Sequence, residues 1–484
     1  MERFSWNILL ISVLFITNIE ESFQHTWMTT DELENHINPE DLYKFMHMTV
    51  NTSDTSEGVN SSDPMYADPW ETTGHWNGLL VPDIVDCFGI GSLLQHILNI
   101  FMKPDSSSSV NTHFYFYSRD MTTRVQVYPG AQFGLEWVDF KPSRKTVMIV
   151  HGFMSHSNAS WINDMARAFL AWADVNVIAV DWSGGGNTWM YWRAVANTRR
   201  VGSDIVGFMR QLIAATGVRI KNMHYVGHSL GAHIVSYVSY HLGKVARITG
   251  LDPAQPCFRT NDSTERLDPT DADFVDIIHT NGRLLSRIGF GFPGRSGHAD
   301  FYPNGGMKQP GCYNKSDSFW SKINPFPIRA RLHEAICSHG RAYLLFTESL
   351  ISKNCTFRAH KWDLTYEGVN ESLVAACNRV YSCSEMGIRA IGLDGVPRAN
   401  GSYFVLTTDR EPYCPTEWER RHPDPALLED LKNGFIINQK VPKNRPPNSA
   451  ATDSSVYADP MGKSLVLAAL TTTTQRSWFR RLFG

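Results

Sequence analysis

The residues best suited to chemistry are Gly227-His228-Ser229-Leu230-Gly231, a G-x-S-x-G pattern between the apolar run Met223-His224-Tyr225-Val226 and the helix-like Ile234-Val235-Ser236-Tyr237-Val238. A serine on a sharp strand-to-helix turn exposes its hydroxyl at the end of a sheet, which suits acyl transfer of the esterase type. That hydroxyl needs a base to accept its proton, an acid to orient the base, and N–H donors for the tetrahedral oxyanion. Asp252 is the candidate acid: it follows Ile248-Thr249-Gly250-Leu251, a strand-like run, and precedes Pro253. Ligand-binding groups of open α/β sheets gather at the carboxyl ends of strands, which is where Asp252 falls. The competing reading is a turn aspartate ahead of a proline. The base must lie beyond it, at His279, His298, His333, His339 or His360. Residue chemistry alone does not rank His279, at another strand-like end, against His339.

The segments that would position these groups alternate in type. Strand-like stretches at 112–117, 126–128 and 146–150 lead into a helical apolar stripe over 161–173, a strand at 176–181 and an amphipathic helix over 194–215. The strand before Ser229, the helix after it and a strand at 245–251 continue the rhythm. Nearly all-apolar strands in βαβα order predict an α/β fold with a mainly parallel central sheet and helices on both faces. The order Ser, Asp, His along the chain is that of an α/β-hydrolase. Residues 281–334 lose periodicity and read as long functional loops. A helix over 335–350 and a strand at 400–408 follow, and the Pro- and Thr-rich tail from about 417 reads as peripheral.

Bulk properties bound the partners. The chain has 484 residues and a net charge of -3, which offers no basic field for nucleic acid. Residues 1–20 read as a signal peptide: Arg3 precedes an apolar run, 8–16, too short to span a bilayer. The 465–470 run is also too short, so no transmembrane segment is expected. An N-terminal extension over 21–109, with a linker-like 54–82 and a helical 83–102, would then precede the main domain at 110–415 and a tail at 416–484. Secretion makes the sequons at Asn51, Asn60, Asn158, Asn261, Asn314, Asn354 and Asn370 candidate glycan sites. Eight cysteines suit an oxidising compartment, and no Cys/His spacing resembles a zinc site. Cys257 reads as a buried free thiol, and Cys87 with Cys414 as an unassigned pair.

Several segments together resemble the pancreatic lipase family, in its single-domain secreted invertebrate form. They are Val150-His151-Gly152-Phe153, 176–182, Gly227–His233, Asp252-Pro253-Ala254-Gln255-Pro256-Cys257-Phe258, 273–280 and 297–306. The resemblance covers roughly 110–415. It implies Ser229 as nucleophile, Asp252 as acid and His339, inside Cys337-Ser338-His339-Gly340-Arg341, as base, leaving His279 a supporting histidine. It implies oxyanion donors at the N–H groups of Phe153 and Leu230, with Gly152 permitting close approach.

The resemblance also implies a lid anchored by a Cys312–Cys337 disulfide, with Phe319, Trp320, Ile323 and Phe326 as lipid contacts. The stretch between those cysteines and the 283–297 loop are both long, which in that family accompanies triacylglycerol rather than phospholipase A1 activity. A calcium loop is matched in part by Arg266, Asp268 and Asp271, with Ser263 at a carboxylate position; calcium wants six or more oxygens, so a structural ion stays open. No organic cofactor is implied. The 70 or so residues after Cys414 hold too few strands for a colipase-binding domain, so no colipase partner is expected. The readings carried forward are a secreted triacylglycerol lipase at a lipid–water interface, a phospholipase A1, and a noncatalytic yolk-type lipid binder, the last disfavoured by the intact Ser, Asp and His.

Overall fold

A computed structural model describes residues 104–432, apart from 122, 132, 189, 260–262, 284–287, 313–326, 370–382, 392–398, 424, 426, 427 and 430. Its strands are β1 (His113–Tyr117), β2 (Val125–Val127), β3 (Lys145–Val150), β4 (Val175–Asp181), β5 (Met223–His228) and β6 (Val245–Leu251). They continue as β7 (Ala272–Ile278), β8 (Ala299–Pro303), β9 (Arg358–Lys361), β10 (Cys383–Glu385) and β11 (Gly401–Val405). One sheet holds them all in the order β10-β9-β11-β8-β7-β6-β5-β3-β4-β1-β2. The run from β11 to β4 is parallel throughout, and antiparallel strands finish both edges. This is the α/β-hydrolase fold.

Parallel strands covered on both faces need apolar residues at every position rather than at alternate ones. β3 and β5 meet that demand: all six residues of β5, and five of the six in β3, are buried. On one face lie α1 (Ser160–Trp172) and α4 (Pro327–Ile351), whose Phe169 and Phe346 join Val147, Ile149, Phe274 and Phe301 in one core. The stripe on α1 is Trp161, Ile162, Met165, Ala166 and Phe169, the helical spacing that turns one side inward. Each such large side chain contributes roughly 1.5–3 kcal/mol by leaving water. α2 (Tyr191–Thr216) and α3 (Leu230–Leu242) pack on each other, and Phe208 of α2 stacks on Phe114 of β1 with centroids 3.9 Å apart.

Strand order has a reversal that places the site. β3 pairs with β4 on one side and β5 on the other, so the chain winds outward to β4 and then crosses back. The crevice at such a switch point lies at the carboxyl ends of the strands. Register keeps those ends level: Val150 pairs with Gly227, His228 with Leu251, and Leu251 with Ile278. His151, Ser229, Asp252 and His279 therefore all step off the sheet together.

A buried ion pair braces this half of the sheet. Arg247 on β6 donates from Nε and Nη2 to Asp276 on β7 at 2.7 and 2.8 Å, and reaches the carbonyls of Ile388 and Gly387 at 3.0 and 2.8 Å. Thr249 donates to the same carboxylate at 3.0 Å. Every acceptor is thus matched, which a buried charge requires.

The structure departs from the sequence reading in several places. The stretch read as continuous loop, 281–334, contains β8, a fully buried strand between glycine-rich segments. α4 begins at Pro327 rather than at 335. The region read as a tail holds a capped helix, Glu417–Arg421, and Leu431 packs with Tyr302, Trp362 and Phe404. Cys414 bonds to Cys355, not to Cys87, because Glu348 on α4 accepts the N–H groups of Tyr413 and Cys414 at 2.7 and 2.8 Å and fixes that loop beside the helix end. Cys257 is disulfide-bonded rather than a free thiol. The segments 1–20, 54–82 and 83–102 lie outside the described residues. Among the described residues, no helix is long and apolar enough to cross a membrane.

Candidate active site

Ser229 joins β5 to α3 in a conformation L-residues rarely adopt, φ 56° and ψ -121°. Such strain persists only where the surroundings over-determine it. Here Ser229 N–H bonds to Leu251 O at 3.1 Å, and a Cβ on Gly231 would stand 2.3 Å from Val150 O, so only glycine lets α3 start this close to β3. A Cβ on Gly152 would lie 2.6 Å from that of Ser229, which bears out the close approach expected there.

The candidate base and the candidate acid are in contact. His339 Nδ1 lies 2.6 Å from Asp252 Oδ2. The other oxygen, Oδ1, accepts N–H groups from Thr280 at 2.8 Å and Asn281 at 3.1 Å. Asp252 is fully buried, so its charge is met by these donors rather than by water. His339 comes from the middle of α4, and its ring lies 4.6 Å, centroid to centroid, from that of His228, the neighbour of Ser229. Of the five candidate histidines, the structure brings His339 to Asp252. His279 instead makes a buried contact to Asp300 at 2.9 Å, donates Nδ1–H to Phe292 O at 2.8 Å and stacks on Tyr302. His298 Nδ1 accepts from Val275 N–H at 3.0 Å, and His360 sits on β9.

The loop after β3 is held from behind. Trp182 N–H donates to His151 Nε2 at 3.1 Å and Trp182 Nε1–H to His151 O at 2.8 Å, while His151 Nδ1–H reaches Gly152 O at 2.9 Å. Burial alone would raise the Asp181 carboxyl, but the nearness of His151, 3.7 Å away, and hydrogen bonds from Ser157 and Ser183 outweigh it and hold the group far below the ordinary range. Phe153 packs edge-on against Tyr191, with centroids 5.2 Å apart. Leu230 opens α3, where first-turn N–H groups lack intrahelical acceptors.

The 283–297 loop reaches the site along a path the sequence did not reveal. Gly291 bridges to Ala254, Gln255 N–H donates to Phe290 O at 2.7 Å, and Phe292 N–H to Pro253 O at 2.7 Å. Asn281 accepts Phe290 N–H at its side chain, 2.8 Å, and the Phe290 ring stands edge-on to His339 at 5.7 Å. Arg283 at the loop's start forms an ion pair with Glu334 on α4. A Cβ on Gly291 would fall 2.2 Å from Asp252 Oδ1, so Gly291→Ala should displace the acid and lower kcat on a soluble ester by about 10- to 100-fold. Wild-type kcat in that variant would mean the loop yields freely.

His233, at the end of the elbow motif, also escaped the sequence reading. It donates Nε2–H to Ala254 O at 2.8 Å and accepts Leu267 N–H at 3.1 Å, tying α3 to the segment after Asp252. Burial lowers it to about 3. Its position four residues after Ser229, one helical turn on, was the available signal.

Cys312 and Cys337 are disulfide-bonded, with Cα atoms 5.5 Å apart. Phe319, Trp320, Ile323 and Phe326 lie outside the described residues, as do Asn51, Asn60, Asn261, Asn314 and Asn370. Asn158 and Asn354 are exposed. At the partial calcium motif, Asp268 caps Thr270 N–H with Oδ1 at 2.6 Å, and Asp271 accepts Asp268 N–H at 2.9 Å. Asp268 Oδ2 is buried without a hydrogen-bond partner, and burial pushes Asp271 up to about 6. Two buried carboxyls with one unsatisfied oxygen fit a hard cation in donor type, although no group of three His, Cys, Asp or Glu gathers among the described residues.

A parallel sheet with a strained serine elbow, a buried Asp–His pair and a glycine loop beside the serine defines the α/β-hydrolase class of proteins. Within it, the chain belongs to the Lipase family, whose model matches residues 92–413. It is 36% identical over 274 residues to pancreatic triacylglycerol lipase of Myocastor coypus, covering 56% of this chain and 60% of that protein. The counterpart from Ictidomys tridecemlineatus is 34% identical over 337 residues, covering 67% and 70%. Pancreatic lipase-related protein 2 of Homo sapiens is 34% identical over 345 residues, covering 69% and 71%. The chain therefore spans between 60% and 71% of the length of these relatives.

Proposed function

We propose that this protein is a secreted serine lipase that hydrolyses carboxylic esters of glycerolipids, triacylglycerol foremost, through an acyl-enzyme. The observation that carries the reading is the 2.6 Å contact of His339 with buried Asp252 beside the strained Ser229. Ser229 Oγ attacks the ester carbonyl as His339 takes its proton, and Asp252 holds the imidazolium that forms. The N–H groups of Leu230 and Phe153 receive the oxyanion. Collapse expels the glyceride alkoxide, which takes the proton from His339. Water, deprotonated by the same histidine, then releases the fatty acid and restores Ser229.

Calcium would sit at Asp268 and Asp271 as a structural ion, neutralising buried carboxylates away from the reacting atoms; the ester chemistry calls on no organic cofactor. Exposed Asn158 and Asn354 support the secreted, glycosylated form. Expression in secretory cells should yield a glycosidase-sensitive product in the medium, and an unglycosylated cytosolic product would contradict it.

Fatty acid release from emulsified triolein and from phosphatidylcholine tests the substrate. The reading expects triolein to be the better substrate; a strong phosphatidylcholine preference with release from position one would move it to a phospholipase A1. The same assay tests the lid. Changing Trp320 and Ile323 to Ser should depress triolein hydrolysis while sparing a soluble short-chain ester, since each apolar side chain gives up roughly 1.5–3 kcal/mol of lipid contact when fully engaged. Equal losses on both substrates would place these residues in the active-site wall.

A further inference from the structure

The main chain of His339 carries a feature that the acyl-transfer chemistry does not itself require. Its carbonyl oxygen lies 3.2 Å from His228 Nε2 and 3.4 Å from Thr280 Oγ1. A carbonyl only accepts, so both side chains donate to it. The two donors come from opposite sides of the site. His228 is the last residue of β5, directly before Ser229. Thr280 follows β7, and its own N–H holds Asp252 Oδ1 at 2.8 Å.

We propose that His228 and Thr280 are positioning residues that clamp the backbone of His339, fixing the base to the nucleophile's strand on one side and to the acid's cradle on the other. The inference rests on the reading of Ser229, His339 and Asp252 as the catalytic groups. A helix of 25 residues supplies His339, and the bond to Asp252 alone would let the ring pivot about that one contact. Two further ties on the same peptide unit hold the backbone from which the ring projects. Together with the Nδ1 contact to Asp252 they set where the other nitrogen points, which is what proton transfer from Ser229 depends on.

The surroundings of His228 fit this task. Its ring is edge-on to Trp161 at 5.7 Å and to Tyr343 at 5.1 Å, and tilted 46° to His339 at 4.6 Å. Burial, and then the nearness of His339, hold His228 well below the usual histidine range. It therefore stays neutral when His339 becomes a cation, and two adjacent positive rings are avoided. A phenylalanine would fill the same space against Trp161 and Tyr343; what histidine adds is the N–H donor.

The test uses the full chain and a soluble 4-nitrophenyl ester, with folding checked by thermal melting. His228→Phe should lower kcat about 10-fold or more with KM unchanged, because geometry and not ester binding is disturbed. His228→Gln, whose amide keeps a donor, should recover kcat to within about 3-fold of wild type, and Thr280→Val should give a smaller kcat loss, its bond being longer. Wild-type kcat in a folded His228→Phe, or an equal loss in folded His228→Gln, would overturn the clamp. Should His228→Phe fail to fold, Thr280→Val decides: a kcat loss at constant KM supports the clamp and an unchanged kcat overturns it. Ser229→Ala runs alongside. Activity surviving in Ser229→Ala would mean that the triad reading had failed, whereas an inactive Ser229→Ala beside a normal His228→Phe would sink the clamp alone.

Discussion

Replacing Ser229 or His339 by Ala is expected to lower kcat about 10³-fold or more on any ester the protein cleaves, with little change in melting temperature for Ser229→Ala. A serine hydroxyl is a weak nucleophile at neutral pH, and in the proposed mechanism its activation depends on a histidine held 2.6 Å from a fully buried aspartate. Asp252→Asn should be of similar severity, since an amide can neither accept the imidazole N–H in the same way nor balance the imidazolium charge. Ser229→Ala removes a single oxygen, so its melting curve should overlie wild type, whereas His339→Ala takes a mostly buried imidazole away from Asp252 and should melt lower. Wild-type kcat in Ser229→Ala would remove the assignment, and a grossly lowered melting point would show that the elbow serves the fold first. Because these groups act as a unit, the double variant should lose little beyond either single one.

Asp276→Ala is expected to cost about 3–5 kcal/mol of stability, the largest single effect on the fold. Arg247 would keep a buried guanidinium facing a vanished carboxylate, with carbonyls of Gly387 and Ile388 unable to balance its charge. Replacing both partners, as in Arg247→Met with Asp276→Leu, should recover most of that loss, because the cost arises from the orphaned charge and not from the absence of the pair. Urea unfolding of the three variants distinguishes these outcomes. A single-variant loss under about 1 kcal/mol would mean that water reaches Arg247.

How much was legible in the chain depended on how local the signal was. Ser229 was readable because an elbow is a local device: strand, serine and glycine lie in seven consecutive residues, and the apolar run of β5 marks the sheet. β3, β4 and α1 were readable for the same reason, as unbroken apolar strands and a one-sided stripe. The partner of Asp252 was not. His339 meets it from 87 residues away, a separation at which spacing carries no information, and only the resemblance separated His339 from His279. β8 was missed because five buried residues between glycines look like loop when the strands flanking it in space, β7 and β11, are far apart in sequence. The free-thiol reading of Cys257 failed likewise: a buried cysteine and a bonded one have the same local sequence. The approach of Gly291 to Asp252 and the donors on His339 O join segments far apart in the chain and are set by tertiary packing alone.

The most direct test of the account is covalent trapping with a long-chain alkylphosphonate 4-nitrophenyl ester, whose phosphorus is attacked by an activated serine with loss of nitrophenolate. The account predicts one nitrophenolate released per protein molecule, loss of triolein hydrolysis in parallel, and an alkylphosphonyl adduct mapped by mass spectrometry to Ser229. Labelling should vanish in Ser229→Ala and slow severely in His339→Ala. An adduct on another residue, or triolein hydrolysis that persists with Ser229 fully blocked, would contradict it.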